Sequence, residues 1–177
     1  GNLEDGSGSF DAVQKVVGYL SGHMHDWFNM SKGATAEIAR GPAEAGAIMA
    51  TVNEGLMVGL RGMVSGRLPQ EMIKDFKKTL PVPDKMKSDS DAAAQFESTV
   101  AWLATRRKTV ENMLAKGGLS GTMAGNLKQE LVFYSNWERI YATGRDNLRG
   151  VTSEKSAMEN APTSVFTIGG PNYGLDK

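Results

Sequence analysis

Residues 91–116 read DAAAQFESTVAWLATRRKTVENMLAK. Phe96, Val100, Leu103, Val110 and Leu114 recur at the three-, four- and seven-residue steps that bring side chains onto one stripe of an α-helix. Asp89 or Ser90 supplies an N-cap ahead of the stripe, and Gly117-Gly118 supplies a stop behind it. Arg107 falls within the stripe, between Leu103 and Val110. A guanidinium stays charged, so if that face is buried Arg107 needs a carboxylate or several carbonyls; Glu130, Glu138 and Glu54 are the candidate partners.

The same periodicity extends in both directions. Downstream, Ser120 opens a helix in which Met123, Leu127, Leu131, Tyr134, Trp137, Tyr141 and Leu148 align, and which ends near Gly150. Upstream, Pro69 opens a short helix with Met72, Ile73, Phe76 and Leu80 inward, and Pro81 and Pro83 end it. Before that, Pro42 suits the first turn of a helix running to about Gly66, with Ile48, Met49, Val52, Leu56, Leu60 and Met63 on its apolar face. A first helix starts at Phe10, with Ser9 as N-cap and with Val13, Val17, Leu20, Met24 and Phe28 on its stripe.

These segments predict an all-α fold: a bundle of four to five helices over residues 10–150, with extended N- and C-terminal arms. Residues 1–9, GNLEDGSGS, have the composition of a flexible lead-in. Residues 151–177 are polar and rich in Gly and Pro, with one β-prone run that includes Val165, Phe166 and Ile168. That segment is expected to be an extended arm with an apolar anchor.

Composition narrows the function classes. Forty per cent hydrophobic and 23% charged residues suit a globular chain, and 177 residues suit one domain. Twenty basic residues balance twenty acidic ones, so no overall field gathers nucleic acid or an anionic membrane. The basic residues Arg106, Arg107, Lys108, Arg139, Arg145 and Arg149 are interleaved with acids, and a mixed-charge face is favoured over a nucleic-acid groove. There is no cysteine, which removes disulfides, thiolate catalysis and thiolate metal sites. No apolar run reaches the length of a membrane span, and nothing assigns a compartment.

No nucleophile elbow, phosphate loop or dinucleotide fingerprint occurs, so no catalytic, cofactor-binding or metal residue is assigned. His23 and His25 stand two apart and point to different sides of a helix; only His23 and Asp26 could converge. The least ordinary feature is a row of glycines, Gly55, Gly59, Gly62 and Gly66, along the helix that begins at Pro42. Each interior glycine costs about 1 kcal/mol against alanine, and close approach of another helix is the usual compensation. That approach is either a crossing within the bundle or a contact between subunits.

The reading these residues support best is a non-enzymatic structural or assembly subunit that self-associates or joins other protein subunits. Its expected interface residues are Gly55, Gly59, Gly62, Gly66, Val165, Phe166 and Ile168. A monomeric, exported helical binding module is the first alternative. A metal-dependent enzyme using His23 and Asp26 is the second.

Overall fold

The computed structural model describes residues 2–28, 41–64 and 66–150, and in the first of these segments the side chains of residues 11–24. The described residues form five α-helices and no strand. They are α1 (Asn2–Phe28), α2 (Pro42–Val64), α3 (Gln70–Thr79), α4 (Asp89–Lys116) and α5 (Gly121–Leu148), with a short 3-10 turn at Pro83–Lys85. The all-α bundle expected from periodicity is the architecture observed.

The two longest helices, α4 and α5, are joined by a tight turn and pack antiparallel along most of their length. Gly117 and Gly118 sit at φ +76° and +77°, where a side chain would be strained, and this ends α4 abruptly. Ser88 caps α4, its hydroxyl accepting from the Asp91 N–H at 3.1 Å, while the Asp91 carboxylate accepts from the Lys87 N–H at 3.1 Å. The cap therefore lies one or two residues before the expected Asp89 or Ser90. Ser120 caps α5 as expected, accepting from the Met123 N–H at 3.1 Å.

Helix α1 lies across this hairpin and also packs against α2. Tyr19 Oη donates to the Ile140 carbonyl at 2.5 Å, and Lys15 pairs with Asp89 at 3.1 Å. Helix α3 rests on α4, with the Phe76 and Trp102 rings 4.6 Å apart. Thr99 donates to the Thr79 carbonyl at 2.7 Å, and Gln95 accepts from the Val82 N–H at 2.8 Å, so α4 holds both the end of α3 and the start of the following turn. The core runs continuously from Val17 and Leu20 through Leu56 and Leu60 to Phe96, Leu103, Trp137 and Tyr141.

The expected lead-in at residues 1–9 is corrected by the backbone: α1 is helical from Asn2, through the expected cap at Ser9. Glu4 and Asp5 near its start favour a helix N-terminus there, against the propensity cost of Gly6 and Gly8. The C-terminal arm at residues 151–177, with Val165, Phe166 and Ile168, lies outside the described residues. No helix among the described residues is long and apolar enough to cross a membrane.

Candidate functional site

Helix α2 has two unlike sides. Its inner side buries Ala45, Met49, Val52, Leu56, Leu60 and Val64. Its outer side exposes Ala50, Thr51, Glu54, Val58, Arg61 and Gly62, all within one sector at 3.6 residues per turn. Val58 is 57% exposed, the most open of the large hydrophobic side chains among the described residues. Between this outer side and α5 runs an open groove of about 820 Å³, lined by Gly55, Val58, Gly59, Gly62 and Met63, with Gln129 from α5 as its far wall.

The glycine row divides into three parts. Gly55 and Gly59 are half-buried and form the floor of the groove. Gly62 is exposed, and a Cβ placed there meets no atom within 4 Å. Gly66 lies beyond the helix at φ +80°, in a turn where the Arg67 N–H donates to the Val64 carbonyl at 2.8 Å. At the C-terminal end of the row, Gly66 thus lies past α2 in a turn, and the Cβ position of Gly62 borders open space. A glycine against which neighbouring helices press is Gly144 on α5, outside the row.

Beside Met63, at the end of the groove, stands Glu130 of α5, the one charged side chain with no solvent exposure among the described residues. Arg67 reaches it from the loop after α2, its Nη2 at 2.5 Å from Oε2 and its Nε at 3.1 Å. The same Nη2 donates to the Met63 carbonyl at 2.8 Å. Arg106 of α4 approaches Oε1 at 3.4 Å, and Tyr134 Oη donates to Oε1 at 3.0 Å. Burial, then the neighbouring Glu130 carboxylate, pushes the Tyr134 phenol pKa up. Three helices' worth of chain are therefore tied at one carboxylate, with two cations and a phenol closing around it. A network of this kind ties the loop after α2 to both α4 and α5.

Arg107 takes a different place from the one its stripe position suggests. It is 24% exposed and lies at the edge of the α4–α5 seam. Its Nε meets Glu138 Oε1 at 2.5 Å, and its Nη1 meets Glu111 at 3.0 Å. Glu138 is one of the partners expected from the sequence, and the fully buried charge among the described residues is Glu130. Hydrogen bonding to Glu138 raises the Arg107 pKa further.

The remaining sequence candidates also find structural settings. Phe133, Tyr134, Trp137 and Tyr141 are all buried in the core, away from any base-stacking surface. Arg106 turns inward to Glu130, and Arg145 pairs with Glu97 at 2.7 Å and with Asp146 at 3.1 Å. His23 packs its ring edge on Tyr19, centroids 4.8 Å apart. The side chains of His25 and Asp26 lie outside the described residues, among which no three His, Asp or Glu side chains gather as a metal site. A second, smaller cavity of about 220 Å³ between α1, α4 and α5 is lined by Lys15, Tyr19, Phe96 and Leu148.

Comparison of the chain with protein-family models, with curated proteins and with solved structures finds no match in any of the three.

Proposed function

We propose that the chain is a non-enzymatic assembly subunit, and that the outer side of α2 is the surface by which it joins other protein subunits. The observation that carries this reading is Val58, whose side chain is 57% exposed at the edge of the open groove on the outer side of α2. An exposed apolar side chain beside a groove floored by Gly55 and Gly59 is a surface that a second body would cover.

The rest of the surface supports the reading. Small side chains at Ala50, Thr51, Gly55 and Gly59 leave a shallow trough, and exposed Val58 stands at its edge as an apolar anchor. Arg106, Arg107 and Arg145 already engage carboxylates, which leaves them poorly placed to follow a phosphate backbone.

The test is the native particle mass of the full chain by light scattering, with and without nuclease treatment. A mass above one protomer that survives nuclease is the expected result. A monomer at every concentration removes the assembly reading, and a mass that collapses with nuclease transfers the role to nucleic-acid binding.

A further inference from the structure

Glu54 and Arg61 are both exposed on the outer side of α2, and neither has an ion-pair partner among the described residues. They are seven residues apart, which at 3.6 residues per turn returns the side chain to within about 20° of the same direction. Val58 lies between them on the same side. An acid four residues before an exposed valine and a base three residues after it form a surface complementary to itself under a two-fold rotation.

Resting on the assembly reading above, we infer that the occupant of this face is a second copy of the chain, its α2 packed antiparallel on the first. A two-fold axis between residues 57 and 58 sets Glu54 level with the partner's Arg61, and repeats that pair at the other end of the contact. The two Val58 side chains then stand about 1.5 Å apart along the helix direction and close over each other at the centre. Thr51, Gly55 and Gly62 flank them and let the two backbones approach. A parallel pair would put Glu54 against the partner's Glu54 and Arg61 against the partner's Arg61. Like charges so placed are repelled, and the orientation is chosen by charge.

One helix face is a small contact, at the low end of what stable interfaces bury, so the dimer exchanges with monomer as concentration changes. Exposed ion pairs add little affinity but discriminate strongly between partners when one is reversed.

The experiment is sedimentation velocity of the full chain over a concentration series, for wild type, E54K, R61E, the double variant E54K/R61E, and an equal mixture of the two single variants. Both positions are exposed, and circular dichroism checks that each variant keeps its helices. The expected result is at least about a tenfold weaker dimer for each single variant alone, because each creates two like-charge contacts. The double variant and the mixture both recover wild-type association, since each restores two opposite-charge pairs. An oligomer whose mass ignores every reversal overturns the α2 pairing and leaves the assembly role standing. Failure of the mixture to recover while the single variants weaken also overturns the antiparallel geometry. A monomer at every concentration overturns both.

Discussion

A Cβ on Gly144 of α5 would lie 2.5 Å from Cε2 of Phe96 on α4, and 2.8 Å from Cε2 of Tyr19 on α1. Three helices meet at this point with no room for a methyl group. Gly144→Ala gains helix propensity of about 1 kcal/mol, but overpacking of two rings costs about 1–3 kcal/mol, so the net expectation is destabilisation. Gly46→Ala is the counterpart on α2: its Cβ meets nothing within 4 Å, and it should stabilise by up to about 1 kcal/mol. Urea midpoints of the two variants should move in opposite directions.

Glu130 is the group whose loss should be felt most. Glu130→Gln keeps the side-chain volume and removes the charge that balances Arg67 and Arg106. Breaking a buried pair by removing one partner typically costs about 3–5 kcal/mol, since the remaining charge stays desolvated. A loss below about 1 kcal/mol in chemical denaturation would show that the arginines reach water when released.

The two core phenols predict an alkaline limit. Burial raises the pKa of Tyr141, with Tyr19 adding to the effect, and burial followed by Glu130 raises that of Tyr134. Both groups stay protonated in the folded chain at pH values where the unfolded chain ionises its tyrosines near pH 10. Stability is therefore full below about pH 10 and falls above it, by about 1.4 kcal/mol per pH unit for each of the two. Near-ultraviolet phenolate absorbance should show both ionising only as the helices melt. Tyr141 Oη is buried, with no hydrogen-bond partner among the described residues. Tyr141→Phe should therefore be neutral or stabilising by about 1 kcal/mol at pH 7, and should reduce the alkaline slope.

Ser120 begins a helix whose first two turns contain Gly121 and Gly125. With intrinsic propensity so low there, the hydroxyl that accepts from the Met123 N–H matters more than a cap usually does. Ser120→Ala should cost about 1 kcal/mol, and Ser120→Asp should restore most of it. Thermal melts of the pair separate the cap from the loss of a hydroxyl elsewhere.

Helix identity was legible because each helix carries its own apolar stripe and its own punctuation. Pro42, Pro69, Gly117 and Ser120 all stand where the sequence places boundaries. The buried charge was harder to read. Arg107 and Glu130 each sit on an apolar stripe, Glu130 three residues after Leu127 and four before Tyr134. The stripe alone does not say which of the two reaches the centre of the seam. That depends on Arg67, a loop residue with no periodic signal, which arrives only when α2 folds back against α5. The glycine row misled at its end for a related reason: spacing places Gly66 with Gly62, but a positive φ is a property of the backbone path and not of the interval. The helical start at Asn2 runs through glycines and serines whose composition signals a linker.

The outer side of α2 also has a thermodynamic consequence. Ala50, Gly55, Gly59 and Gly62 have no rotamers to lose, and the branched Val58 and Thr51 have few. Lysine-bearing surfaces such as Lys74, Lys77 and Lys78 on α3 would surrender far more side-chain freedom if covered. Covering α2 thus exacts a small entropic toll for each residue ordered, and a contact of modest area there holds more tightly than the same area elsewhere on the bundle.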